Sequence, residues 1–268
     1  MAVRRRPASR APGQHFLRSS RLASALVAEA SLSAGDLVVE IGPGTGVLTR
    51  ALARTGADVI ALELDAALAS QLHRQFAAVE NVTIQEADAL RWAWPARPFA
   101  VVSNLPFAHS GAILSGLLRD PRIGLQRADV IVQWEFACKH AAVWPATLKG
   151  TYWRAWFDVA IGGRLARTAF TPTPRADAAV LRITRSERPL VANEDHDAYW
   201  QFLADAFRSQ QPVRKALSPR LSPLQVKRLA PALGFAPEAR PRDLDARQWA
   251  ELFAASAPSS DAAESLGR

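Results

Sequence analysis

Leu37-Val38-Val39-Glu40-Ile41-Gly42-Pro43-Gly44-Thr45-Gly46-Val47-Leu48-Thr49-Arg50-Ala51-Leu52-Ala53 reads as a strand, a glycine turn and a helix. The run Leu37 to Ile41 is short and almost wholly apolar, the mark of a strand buried on both faces. Gly42 and Gly44 let the backbone approach a ligand where a side chain would collide. Strand, glycine turn and helix together open a nucleotide-binding crossover, which makes the fold class α/β.

The glycine spacing narrows the ligand. In a dinucleotide fingerprint the third glycine would stand at position 47, where this chain has Val47; the glycine comes one residue early. No Gly-Lys-Ser or Gly-Lys-Thr follows, so a P-loop is not indicated. A nicotinamide-dependent oxidoreductase is disfavoured for the same reason as the dinucleotide. S-adenosylmethionine carries no phosphate and requires neither device.

Further strand ends extend the pattern. Asp58-Val59-Ile60-Ala61-Leu62 leads to Glu63, placed to accept both hydroxyls of a ribose. Val82-Thr83-Ile84-Gln85-Glu86 leads to Asp88-Ala89, an acceptor and a backbone amide suited to an adenine ring. Phe99-Ala100-Val101-Val102 leads to Asn104-Leu105-Pro106-Phe107. In open α/β sheets such ends form the ligand crevice.

The last tetrapeptide suits the chemistry of an exocyclic amine. That nitrogen's lone pair is delocalised into its base and attacks a methyl group poorly until acceptors hold its N–H groups. The Asn104 carbonyl is one acceptor and the Leu105 backbone carbonyl, held extended by Pro106, the second. Phe107 offers a face for an extruded base, a contact worth roughly 1–3 kcal/mol. A plain strand-to-turn reading, with Phe107 in the core, accounts for these four residues equally well in isolation.

Charge points to the partner. The net charge of +8 comes almost wholly from arginine, since only Lys139, Lys149, Lys215 and Lys227 are lysines. Arg4, Arg5, Arg6 and Arg10 form a basic start without acids, and Arg208, Arg214 and Lys215 lead a second cluster. Both suit an RNA backbone. A single cysteine, Cys138, excludes an internal disulfide, and no histidine-cysteine spacing marks a metal site. No segment has the roughly 18 apolar residues of a membrane helix. The expectation is a soluble cytoplasmic monomer without a metal.

Helical spacing is expected over residues 20 to 31, around Ile113 to Leu118, and in three segments after Asp195. Strands are expected at Asp129 to Gln133, Arg164 to Phe170 and Ala178 to Ile183, completing a seven-stranded mixed sheet. The divisions are a basic tail over 1–19 that starts the cofactor motif, a methyltransferase domain over 20–186, and a helical RNA-binding domain over 187–268.

With these residues assembled, the sequence resembles the rRNA adenine dimethylase superfamily, most closely the Erm macrolide-resistance methyltransferases of actinobacteria. The resemblance is carried by Gly13-Gln14-His15-Phe16-Leu17, Glu40 to Gly46, Glu63-Leu64-Asp65, Asp88-Ala89, Asn104 to Phe107, Gln133 to Ala137 and Phe170 to Pro174. It implies a Rossmann-like class I methyltransferase that moves methyl from S-adenosylmethionine to N6 of an adenine in 23S rRNA, conferring macrolide, lincosamide and streptogramin B resistance. It also implies that Gln14, His15, Leu17, Gly42, Gly44, Glu63, Leu64, Asp88, Ala89 and Asn104 hold the cofactor. Asn104, Leu105, Pro106 and Phe107 would receive the base. Housekeeping small-subunit dimethylases are the other branch. Leu105 and Phe107 stand where many Erm relatives have Ile and Tyr.

Overall fold

The computed structural model describes residues 15–209, 211–236 and 238–256. In chain order the elements are β1 (Phe16–Leu17), α1 (Ser20–Glu29), β2 (Leu37–Ile41), α2 (Val47–Ala53), β3 (Asp58–Glu63), α3 (Ala66–Phe76), β4 (Val82–Glu86), β5 (Phe99–Asn104), α4 (Ser110–Leu117) and β6 (Leu125–Gln133). There follow α5 (Trp134–Ala141), α6 (Leu148–Trp153), β7 (Phe157–Leu165), β8 (Phe170–Thr171), β9 (Ala178–Arg185), α7 (His196–Arg208), α8 (Val213–Ala216), α9 (Pro223–Leu233) and α10 (Ala246–Ser256).

Seven strands form one sheet in the order β4-β3-β2-β5-β6-β9-β7. β2 is an interior strand, all five of its residues buried, and is parallel to β3 on one side and to β5 on the other. The chain therefore winds outward through β3 and β4, then returns to β5 and winds the other way. This reversal opens a crevice beyond the carboxyl ends of β2 and β5. β1 and β8 form a separate antiparallel pair, Phe16 opposite Thr171 and Leu17 opposite Phe170.

Local chemistry fixes the crossover helices. Ser19 Oγ accepts the Leu22 amide at the start of α1, and Asp65 Oδ1 accepts the Ala67 and Leu68 amides at the start of α3. Leu26 and Val27 of α1 and Leu48, Ala51 and Leu52 of α2 pack with Val38, Val59, Val102 and Ile131 in one core.

The chain divides into two compact units. One comprises the described residues through Gly116, together with Gly124–Ala137 and Ile161–Arg182; the other takes Leu117–Ile123, Cys138–Ala160 and the described residues from Ile183 onward. Segments 117–123, 138–160 and 183–186, which the expected linear division assigned to 20–186, thus cluster with the helical stretch. That second unit centres on buried aromatic side chains, with Tyr152 against Trp156 and Tyr199, and Phe202 against Trp249.

One expected strand is corrected. Arg164 to Phe170 is not a strand: β7 ends at Leu165, a short 3-10 turn covers Arg167–Ala169, and Phe170 belongs to β8. β7 is the last strand of its sheet and alternates weakly, so its exposed Asp158, Ala160, Ile161 and Gly162 give no apolar run to read.

Candidate active site

A cavity of about 360 Å³ occupies the crevice beyond the strand ends. Gly42 and Gly44 line it after β2, Glu63 and Leu64 at the end of β3, Asp88 and Ala89 after β4, and Asn104 to Pro106 after β5. All four strand ends read from the sequence meet there.

The glycine turn is held in left-handed backbone, with φ of +68° at Gly42, +57° at Gly44 and +76° at Gly46. At Gly44 any added Cβ would run into the Phe16 ring, so the turn and β1 approach as closely as a bare backbone permits. The Gly42 amide donates to Leu62 O at 2.8 Å and the Gly46 amide to Pro43 O at 2.9 Å.

Two glutamates brace this region in opposite ways. Glu63 accepts the Gly44 amide on Oε2 at 3.1 Å and the Asp65 amide on Oε1 at 3.0 Å. A carboxylate has about four acceptor sites. One on each oxygen thus remains for a diol in the cavity. Glu40, inside β2, is 2% exposed, and its Oε2 has no partner. Burial away from water pushes its carboxyl up to about 8, Glu63 adds to the rise, and the nearby Thr49 hydroxyl and amide oppose it. Glu40 borders a second, smaller space of about 20 Å³ behind the glycine turn, which Gly42 and Asn104 also line.

Asn104 lines the cavity at the end of β5. Its Nδ2 donates to His15 O at 2.7 Å, which fixes the amide's orientation, while its buried Oδ1 has no partner. His15 is itself held by Nδ1 donating to Pro172 O at 2.7 Å. The Leu105 amide donates to Ile131 O at 3.2 Å, and Pro106 O accepts the His109 amide at 2.9 Å, so the peptide after Asn104 is anchored on both sides. An unpaired buried acceptor is costly, roughly 1–3 kcal/mol, and Oδ1 keeps its capacity to accept a hydrogen bond.

Among the expected cofactor residues, His15, Gly42, Gly44, Glu63, Leu64, Asp88, Ala89 and Asn104 border the large cavity. Leu17 does not: it is 5% exposed within the core and reaches only the smaller space behind the turn. Gln14 and the arginines Arg4, Arg5, Arg6 and Arg10 lie outside the described residues. Phe107 is half-buried and absent from the cavity lining; its ring meets His15 at 5.4 Å and, edge-on, Phe170 at 6.0 Å. Sequence reading had no local signal for His109 and Ile113, which complete the cavity wall from the turn and helix after Asn104. In the second unit, Arg208 pairs with Asp205 at 3.3 Å and Arg214 reaches Glu238 at 4.0 Å, while Lys215 is exposed.

Residues 8–257 match the family model described as ribosomal RNA adenine dimethylase. The chain belongs to that family. It is 30% identical to an rRNA adenine N-6-methyltransferase of Bacillus licheniformis over 245 residues, covering 90% of this chain and 84% of that one. It is 32% identical to the mycinamicin-resistance protein MyrB of Micromonospora griseorubida over 246 residues, 90% of this chain and 76% of that one. A small-subunit methyltransferase A of Geobacillus thermodenitrificans is 31% identical over 266 residues, 92% and 90% of the two chains. Among solved structures, the 23S rRNA methyltransferase ErmE superposes with a TM-score of 0.77 at 26% identity, covering 89% of this chain and 98% of that one.

Membership makes the chain an enzyme, an adenine methyltransferase of ribosomal RNA with S-adenosylmethionine as donor. The cavity fits that donor. Glu63 retains free acceptor sites for ribose hydroxyls, and Asp88, whose Oδ1 already accepts the Leu90 amide at 2.9 Å, keeps acceptor capacity for an adenine amine. Among the described residues no cluster of His, Cys, Asp and Glu is placed to hold a metal, and no helix is long and apolar enough to cross a membrane.

Proposed function

We propose that this chain methylates N6 of one adenine in 23S rRNA and thereby confers macrolide, lincosamide and streptogramin B resistance. The observation that carries the chemistry is the unpartnered Oδ1 of Asn104 at the junction of cavity and base-side turn. Resemblance to the 23S rRNA methyltransferase ErmE supports the choice of the large-subunit RNA, and resemblance to the resistance protein MyrB supports the resistance phenotype. The reading includes a monomer working in the cytoplasm on free RNA or an assembling large subunit.

When bound, S-adenosylmethionine supplies an electrophilic methyl group on a sulfonium centre. Glu63 would hold the ribose, Asp88 and the Ala89 amide the adenine, and Gly42 and Gly44 would let the backbone lie against the methionine portion. Asn104 Oδ1 would accept one N–H of the target amine and the Leu105 carbonyl the other. Both bonds draw the nitrogen lone pair out of the ring and aim it at the methyl. Because Nδ2 is already tied to His15, the acceptor needs no rearrangement when the amine arrives. Phe107, braced by Phe170, would stack on the extruded base. Rate enhancement then comes from alignment and polarisation, without a general base.

A second reading, small-subunit dimethylation, draws on the departure of Leu105 and Phe107 from many Erm relatives and on the similar small-subunit relative. Primer extension on both naked RNAs after incubation with enzyme and donor separates the two. A stop at one adenine of 23S rRNA is expected. Paired adjacent stops near the 3′ end of 16S rRNA, with none in 23S, would assign the chain to the other branch.

A further inference from the structure

The expected RNA contacts were the basic start and the cluster near Arg208, yet the first compact unit carries another arginine surface beside the base-side turn. Arg164, its side chain 59% exposed, lies over the Trp134 ring with its guanidinium carbon 4.6 Å from the centroid. Asp177 Oδ2 accepts from both Nε and Nη2 of Arg164, at 3.1 and 2.8 Å, and Asp177 O accepts the Trp134 amide at 2.9 Å. Asp177 thus holds the guanidinium over the indole, while much of the Arg164 side chain stays exposed. The Arg167 amide donates to the other oxygen of Asp177, Oδ1, at 3.1 Å, and Arg18, Arg167 and Arg175 are exposed. No carboxylate among the described residues forms an ion pair with these three.

The position is tied to the site by contacts. Trp134 follows β6, the neighbour of β5 on the side away from β2, and β5 ends at Asn104. The Arg18 amide donates to Ala169 O at 2.9 Å, and the adjoining Phe170 packs on Phe107. Cations here flank the base-receiving turn, not the cofactor crevice.

We infer that Arg164 stacked on Trp134, with Arg18, Arg167 and Arg175, is the track for the single-stranded RNA flanking the target adenine. Arg164 stacks a neighbouring base, and the three unpaired arginines meet phosphates. This inference rests on the proposed RNA methylation, and its test separates the two. A stack pinned by Asp177 loses little freedom on binding, whereas the paired Arg208 and Arg214 must give up or share their acids.

The test is fluorescence anisotropy with a labelled RNA hairpin whose loop holds a single-stranded adenine, across a salt series, alongside methyl-transfer kinetics. Arg167→Ala with Arg175→Ala removes two exposed side chains that form no ion pair among the described residues. Its expected effect is about a tenfold weaker RNA affinity near physiological salt, with the slope of log affinity against log salt shallower by roughly 1–2. KM for RNA rises likewise, while kcat and donor affinity stay at the parent level. Arg164→Lys keeps the charge but loses the plane, and is expected to weaken binding without altering the salt slope. Unchanged RNA affinity and slope in the double variant overturn the track. If Arg164→Lys lowers only Tm, the stack is structural and its base-contact role is lost. A parent chain that binds RNA through these residues yet methylates neither ribosomal RNA sinks the functional reading and leaves the track standing.

Discussion

The two sides of the crevice are built on different principles. On the β2, β3 and β4 side, the groups that line the large cavity are already paired: Glu63 binds two amides, and the glycine turn closes on Leu62 and Pro43. On the β5 side, the key atom is left unpaired, with Asn104 Oδ1 buried and waiting while its amide nitrogen is tied down. A preformed cradle suits a ligand that every turnover requires. An orphaned acceptor suits a group presented only when RNA arrives, because desolvation is already complete before binding.

Asn104→Ala breaks that contrast most sharply. It deletes the waiting acceptor and the tether to His15 together, so methyl transfer should fall by a factor on the order of 10²–10³, the usual cost of one preorganised polar group. Donor affinity, measured by calorimetry, should drop far less, because Glu63 and Asp88 are untouched. Full transfer activity in a folded Asn104→Ala protein would remove the assigned role.

The cofactor side was the more legible half because its signals are local. Apolar runs and glycines between residues 37 and 63 specify strand, turn and acidic strand end within short windows, and each lands on the cavity. The base side depends on distant partners. His15 is placed by Pro172, 157 residues away, and orients Asn104, 89 residues away. No spacing within either segment announces those bonds; His15 entered only through family resemblance. β8 escaped for the same reason, since a two-residue strand exists only through pairing with β1. Phe107 shows the limit of residue type: an aromatic ring after Asn-Leu-Pro was readable, its bracing between His15 and Phe170 was not.

Within the cradle, Glu40 and Glu63 offer a smaller test. Glu63 is satisfied by amides, whereas Glu40 is buried with one oxygen unpaired and titrates near 8 in the fold, against an ordinary value of 4.5. The unfolded chain releases this proton near 4.5 and the folded chain holds it until about 8. The stability owed to the neutral carboxyl is therefore complete below 4.5 and declines as pH rises to about 8. Glu40→Gln, permanently neutral, should flatten that decline by roughly 3 kcal/mol between pH 5 and 8, read from urea unfolding at each pH. Parallel pH profiles for parent and variant would mean that Glu40 is ionised in the fold.

Gly44→Ala is the mildest of these changes and probes where the two sides touch. Gly44 has φ of +57°, donates its amide to Glu63 and faces the Phe16 ring of β1, the strand that pairs with β8 beneath Phe107. Alanine in left-handed backbone costs about 1–2 kcal/mol, and its methyl must also displace the ring. If the cradle alone yields, donor affinity falls while the RNA affinity of the donor-free protein holds. If Phe16 yields instead, it carries β1 and His15 with it, and the loss appears in kcat through a misplaced Asn104 amide. Because Phe16 is anchored by the β1–β8 pairing whereas the turn rests on single backbone bonds, the first outcome is expected. A kcat loss with unchanged donor affinity would show that the glycine turn is the stiffer partner and that the paired side sets the geometry of the waiting one.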